Sequence, residues 1–172
     1  TGEMMYLTVE ERKRVAETVV RKTAGRAVVY VHTGAWNLED TIVLSRHAAQ
    51  IGADGIGVVT PAFFKLTEKE LFHYYKAVSD SVPEDFPIYL YGIPQCAVND
   101  LTPELAGRIA EACPNVVGIK YSYNDMSRIQ KFMTLRGGEF SVLCGPDDLF
   151  AVTCFAGGDG TVSGNANVIP EH

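Results

Sequence analysis

The chain has 172 residues, 47% of them hydrophobic and 21% charged, a composition that suits one globular domain, residues 1–172, with a sizeable core and excludes a disordered segment. Its 15 basic and 21 acidic residues give a net charge of −6 without any basic run that could track phosphates, which argues against nucleic acid and anionic membrane as partners. Cys96, Cys113, Cys144 and Cys154 are scattered and the four histidines (His32, His47, His73, His172) lack ligand spacing, so no metal site is expected, and reduced thiols fit a cytoplasmic protein.

Thr8 and Glu11 form a capping box ahead of apolar residues at helical spacing, which predicts a helix from Val9 to Lys22. Ala27–Val31 follows as a short buried strand ending in His32-Thr33-Gly34, and a helix from Leu38 to Gln50 is closed by Gly52. Gly55–Thr60 is a strand stopped by Pro61. Thr67 and Glu70 cap a helix through about Val82, and Pro87–Tyr91 is a strand stopped at Pro94. Thr102-Pro103-Glu104 opens a helix with proline at its favoured first position. After the strand Val116–Ser122 come a helix from about Asp125 to Leu135, a strand Ser141–Cys144, a short helix Asp148–Phe155 and a strand Gly160–Ser163.

Strand and helix alternate through short connections, the pattern of an α/β protein with a parallel sheet under helices. An open doubly wound sheet would accommodate six strands, but no Gly-rich phosphate fingerprint follows any of them. Polar residues gather instead at the carboxyl ends of strands: Thr33, Thr60, Tyr91, Lys120 with Ser122, Asp147 with Asp148, and Asn165 with Asn167. That is where an α/β barrel builds its active site. If the chain is such a barrel, it holds about six of the eight strands of a (β/α)8 fold, lacks the C-terminal helices and is part of a longer polypeptide.

Within Val116–Ser122 one residue is out of place. A period of two sends Val116, Gly118, Lys120 and Ser122 to one face and Val117, Ile119 and Tyr121 to the other, so Lys120 emerges on the roomier, glycine-bearing side. An ammonium loses hydration on burial, which favours the neutral amine, a nucleophile toward ketones and aldehydes. A lysine that snorkels from the strand end into solvent is the alternative.

With Thr1-Gly2-Glu3, Val59-Thr60-Pro61, Tyr91-Gly92-Ile93-Pro94 and Gly118-Ile119-Lys120 in this order, the chain resembles the dihydrodipicolinate synthase and N-acetylneuraminate lyase family over essentially its whole length. The resemblance implies a (β/α)8 barrel, commonly tetrameric, that forms a Schiff base between a strand lysine and pyruvate or another 2-keto acid. It makes Lys120 the Schiff-base lysine, Tyr91 the phenol that shuttles protons beside it, and Thr1 part of a turn that binds the keto-acid carboxylate. No metal or organic cofactor is implied.

Departures from the family pattern bear on the substrate. Cys96 stands where the synthases carry an arginine for a second carboxylate, and a thiol cannot make a bidentate pair. Phe63 stands where a relay tyrosine is usual and has no hydroxyl to pass a proton. Gly145-Pro146-Asp147-Asp148 resembles the Gly-aromatic-Asp-Glu segment of the sugar-acid lyases, and Ser122 falls where those lyases use threonine. Carboxylates at Asp147 and Asp148 would accept hydrogen bonds from substrate hydroxyls, or else cap the helix before Leu149. The expected function is a class I lyase (aldolase) on a 2-keto acid and an aldehyde, with a sugar-acid-like substrate, in a homo-oligomer (tetramer or dimer). Alternatives are a synthase-like condensation or sugar-acid dehydration on the same Schiff base, and a non-catalytic keto-acid-binding regulatory protein.

Overall fold

The computed structural model describes residues 2–169, so Thr1, the expected carboxylate-binding threonine, lies outside the described residues. Six strands, β1 (Tyr30–His32), β2 (Gly55–Val59), β3 (Ile88–Gly92), β4 (Val116–Tyr121), β5 (Ser141–Cys144) and β6 (Gly160–Thr161), form one sheet in the order β1-β2-β3-β4-β5-β6. All five pairings are parallel. A doubly wound sheet reverses its strand order at a switch point. This one never does, so it is the wall of a barrel, six strands of the eight in a (β/α)8 fold.

The helices are α1 (Val9–Thr23), α2 (Leu38–Gln50), α3 (Glu68–Ser79), α4 (Pro94–Ala97), α5 (Pro103–Ala112), α6 (Met126–Met133) and α7 (Phe150–Phe155). Both predicted capping boxes are present: Glu11 N donates to Thr8 Oγ1 at 3.2 Å and Glu70 N to Thr67 Oγ1 at 3.3 Å, with each glutamate returning to the threonine backbone. α5 begins as expected, with Thr102 accepting from Leu105 N and proline at the first turn.

Several boundaries differ from the sequence reading. β1 starts at Tyr30 rather than Ala27, because Val29 N donates to the Asp54 side chain at 2.7 Å and Val28 is exposed, so the ladder opens only at Tyr30 opposite Gly55. α3 stops at Ser79 rather than Val82. There the Asn115 amide takes over, accepting from Ser79 Oγ at 2.7 Å, and Pro83 disfavours helix at the residue before it. α4 is a single turn that was not predicted, and α6 ends at Met133 with a separate 3-10 turn at Leu135–Gly138. The last helix splits into a 3-10 turn, Asp147–Leu149, and α7.

The sheet's outer face carries Ile56, Val58, Ile88, Leu90, Ile119, Tyr121 and Val142, which share one core with residues such as Leu71, Tyr75, Leu105, Ile109, Ile129 and Phe132 from the helices. The inner face alternates tyrosine with glycine. Tyr30 and Tyr89 meet edge to face, 5.2 Å between centroids, over Gly55, and the Tyr89 hydroxyl crosses Gly118 to donate to Ser141 Oγ at 2.8 Å. A methyl group at Gly118 would overlap the Ser141 carbonyl oxygen and lie 2.6 Å from Tyr89 Cε1. The expected alternation along β4 needs one correction. Ile88 pairs with Val116 but Tyr89 pairs with Gly118, so Val117 is an extra residue and Val116 joins Ile119 and Tyr121 in the outer core.

Candidate active site

The bulge at Val117 precedes Gly118 and leaves Gly118 and Lys120 on the inner face. Lys120 lies beside Tyr91 of β3 on one side and Leu143 of β5 on the other. Its Nζ sits 3.9 Å from the centroid of the Tyr91 ring, over the aromatic face, so the amine is held by the ring rather than extended into solvent. Tyr91 is buried at 5% exposure and packs with Met4, Val59 and Ala97. The two residues line a cavity of about 320 Å³ whose other walls include Tyr30, His32, Gly57, Tyr89, Leu143 and Val162. That volume suits a small molecule rather than a polymer.

The outer side of this site is braced. The Tyr121 hydroxyl, next in sequence to Lys120, donates to Asp100 Oδ1 at 3.2 Å and accepts from Arg128 Nη1 at 2.8 Å, and Arg128 also pairs with Asp100. Burial, then the Asp100 charge, pushes the Tyr121 phenol up, so it stays protonated and donates. The Tyr121 ring lies against Gly92, where a methyl group would approach Cδ2 to 2.7 Å, so the glycine after Tyr91 lets β3 and β4 lie this closely. At the strand ends, Gln95 Nε2 of α4 donates to the Ser122 carbonyl at 2.6 Å.

The remaining predicted site residues form a second group at the carboxyl ends of β4 to β6, outside the cavity wall. Ser122 is buried against Gly145, where any Cβ would overlap the serine hydroxyl, so Gly145 is required by packing. Asp147 and Asp148 are exposed and do not cap the following turn. Asp147 accepts from Asn165 at 2.9 Å and Asp148 from Asn124 at 3.2 Å. Thr33 and Thr60 turn away from the mouth: Thr33 accepts from Ser45 of α2, and Thr60 donates to the Asn99 carbonyl. Phe63 is exposed, with φ 76, stacked edge to face on Phe64 at 5.0 Å. Its loop is held by buried Asn99, which donates to the Pro61 and Phe64 carbonyls and accepts from Leu66 N.

One cavity residue was missed by the sequence reading. His32 stands opposite Gly57 in the ladder and meets the Tyr91 ring edge to face at 5.9 Å. Burial pushes its imidazole down to about 3, with the Arg12 and Lys120 charges acting in the same direction. Among the described residues no group of three or more His, Cys, Asp or Glu converges on a metal-sized site, and no helix is long and apolar enough to cross a membrane.

A parallel barrel wall with a lysine resting on a tyrosine at the carboxyl ends of its strands defines an α/β-barrel protein with a lysine-bearing central cavity. The family follows from comparison with known proteins: the chain belongs to the dihydrodipicolinate synthetase family, whose model matches residues 1–172. It is 38% identical over 173 residues to YagE of Escherichia coli (strain K12), covering 99% of this chain and 57% of that protein. The crystal structure of YagE in complex with pyruvate superposes with a TM-score of 0.94, at 38% identity and the same two coverages. The 4-hydroxy-tetrahydrodipicolinate synthase of Thermus thermophilus is 37% identical over 171 residues (99% of this chain, 57% of the enzyme). The N-acetylneuraminate lyase of Mediterraneibacter gnavus is 36% identical over 172 residues (99% and 54%). The chain thus spans little more than half the length of these relatives.

Proposed function

We propose that the protein is a class I lyase that forms a Schiff base between Lys120 and pyruvate or another 2-keto acid and makes or breaks a carbon–carbon bond. The observation that carries this reading is the placement of the Lys120 amine on the Tyr91 ring, inside a small cavity at the carboxyl ends of parallel strands. The unprotonated amine attacks the keto carbon to give a carbinolamine. Tyr91 donates a proton to the departing oxygen, water leaves, and the iminium remains. Tyr91, left as the phenolate, then takes the proton of the hydroxyl on the fourth carbon as the bond between the third and fourth carbons breaks, its electron pair passing into the iminium to give an enamine while the aldehyde departs. Condensation runs the same steps in reverse. The iminium is its own electron sink, so the chemistry calls for no metal or organic cofactor.

A hydroxylated, sugar-acid-like substrate is supported by the exposed carboxylates of Asp147 and Asp148 at the rim, each already accepting from an amide. The lyase of M. gnavus favours this reading. The T. thermophilus synthase favours condensation instead, but Cys96, exposed on α4 where a synthase would need a cation for a second carboxylate, weighs against it. Unpaired cysteines fit a cytoplasmic protein, and assembly as a tetramer or dimer fits the family resemblance.

Borohydride reduction of the full-length protein in the presence of pyruvate tests the proposal. A stable adduct on the peptide containing Lys120, absent in Lys120→Ala, is the expected result. A wild-type protein that gains no mass on that peptide at saturating pyruvate would remove the Schiff base from consideration.

A further inference from the structure

The chain leaving β3 turns back at once as α4. Cys96 N and Ala97 N both donate to the Ile93 carbonyl, at 3.0 and 2.9 Å, and Val98 N donates to the Pro94 carbonyl at 3.0 Å. Ala97 is buried in one cluster with Tyr91, Met4 and Val59, and Ile93 packs against that cluster, so the turn sits on the tyrosine of the site. It ends on an unfavourable residue. Val98 has φ 68 and ψ −35, a backbone that a β-branched side chain rarely adopts. Strain of this kind persists only where the surroundings impose it, and one isolated turn is too short to hold itself. The conformation of α4 is therefore set by what its two ends are tied to.

At the Val98 end the carbonyl accepts from Lys65 Nζ at 3.2 Å. At the other end the tie is to the lysine strand. Gln95 Nε2 donates to the Ser122 carbonyl at 2.6 Å, and among the described residues no other group donates to that oxygen. A carbonyl oxygen only accepts, so the amide nitrogen must be the atom that faces it. Tyr91 stands opposite Lys120 in the ladder, and Ser122 N donates to the Gly92 carbonyl at 2.8 Å. The Gln95 bond thus closes a ring made of residues 91–95 and 120–122, with the phenol and the amine at one end and the bond at the other. Ser122 is buried and wedged against Gly145, which makes it a fixed point. Gln95 itself is exposed, so its side chain is not there to fill the core.

We infer that Gln95 is a positioning residue for imine formation: by tying α4 to the end of β4 it keeps Ala97 seated on Tyr91, and so keeps the phenol aligned with the Lys120 amine. This rests on the Schiff-base reading and adds to it a residue that acts through Tyr91 rather than on the substrate. Without the tie, α4 is free to relax the Val98 backbone and to lift from the Tyr91 ring. Proton transfer to the departing carbinolamine oxygen then slows, while the binding of the keto acid is left as it was.

The test is a time course in the full-length protein: pyruvate is added, the mixture is quenched with borohydride at increasing times, and the adduct on the Lys120 peptide is measured by mass. Gln95→Glu has the same size but offers the Ser122 carbonyl only acceptors. It is expected to lower the rate at saturating pyruvate about ten- to a hundredfold, the upper figure being the effect of a misplacement of about 1 Å. Half-saturating pyruvate should stay within about twofold, the pattern of a lost interaction that substrate binding does not use. The thermal unfolding midpoint should stay close to wild type, because exposed substitutions seldom alter stability. Gln95→Arg, which restores an N–H donor, should recover most of the rate. Should Gln95→Glu fail to fold, Gln95→Met, of similar length and without a donor, serves the same comparison. An unchanged rate overturns the inference, as does a loss that Gln95→Arg shares, one confined to half-saturating pyruvate, or one that tracks a lowered unfolding midpoint. If wild-type protein forms no adduct, the Schiff base itself falls and this role with it, whereas normal wild-type trapping without a Gln95 effect refutes the positioning role alone.

Discussion

Two glycines on the inner face of the sheet have the same residue type and opposite surroundings, and substituting each by alanine separates packing from cavity. At Gly118 the added methyl would overlap the Ser141 carbonyl oxygen and crowd Tyr89 Cε1 at 2.6 Å and Ser141 Cβ at 2.9 Å. The first of these is backbone and cannot rotate away, so β4 must move against β5. Overpacking of this kind costs about 1–3 kcal/mol, and the upper half of that range applies where the obstacle is main chain. At Gly57 nothing lies within 4 Å of the added methyl, and its backbone is one that L-residues adopt. Alanine there restricts the unfolded chain and stabilises by about 0.4–1 kcal/mol. Gly118→Ala and Gly57→Ala should therefore differ by about 2–4 kcal/mol in urea unfolding, with the same m-value. Their effects on Lys120 differ in kind. Shifting β4 displaces the amine, and a misplacement of about 1 Å can cost about a hundredfold in rate. The methyl at Gly57, level with His32 and Tyr89 in the ladder, enters the cavity, and should raise the pyruvate concentration needed for trapping without lowering its plateau. Stabilities that agree within about 0.5 kcal/mol would refute the account of the tyrosine–glycine layer.

Asn99→Leu removes two donors and one acceptor from the loop of Pro61, Phe64 and Leu66, and should cost about 2–4 kcal/mol, since those backbone groups are only partly able to reach water; a loss under about 1 kcal/mol in urea unfolding would contradict this. Acid should also act through His32. The unfolded chain binds a proton there below the ordinary 6.5, whereas the folded imidazole does so only near 3, so its contribution is complete above pH 6.5 and is lost as pH falls toward 3. The slope approaches about 1.4 kcal/mol per pH unit, and His32→Gln should flatten the stability profile between pH 6.5 and 4.5 by that amount; parallel profiles for the two proteins would show that the ring is not desolvated as described.

The alternation of elements was legible because its signals are local. Thr8 with Glu11, Thr67 with Glu70 and Thr102 with Pro103 each satisfy helix-terminal donors within one turn, and each marks a helix start that the structure contains. Strand order is not a local property. Nothing in the separate runs Gly55–Val59 and Ile88–Gly92 says that they are neighbours, and only the unbroken parallel order of six strands decides for a barrel wall over a doubly wound sheet. The family resemblance supplied that step, and the strand ladder supplies its physical form.

Legibility of the site divides along the same line. Lys120 stood out because a charged residue in an apolar strand needs a cause, and Tyr91 because its motif brought it to the same layer. His32 did not, for a specific reason: with β1 read as Ala27–Val31, residue 32 falls beyond the strand and faces nowhere in particular. The ladder begins three residues later, because Asp54 binds Val29 N, and this places His32 inside it, level with Gly57. The bulge at Val117 is a comparable case, since one extra residue reverses the face of Val116 while leaving Lys120 where the motif puts it. A usable signal was present in the glycines. Gly55 and Gly118 stand in the strands that flank tyrosine-bearing β1 and β3, and a strand interior keeps glycine where a neighbour's ring must cross it. Taken with the tyrosines, they mark the inner face that His32 shares.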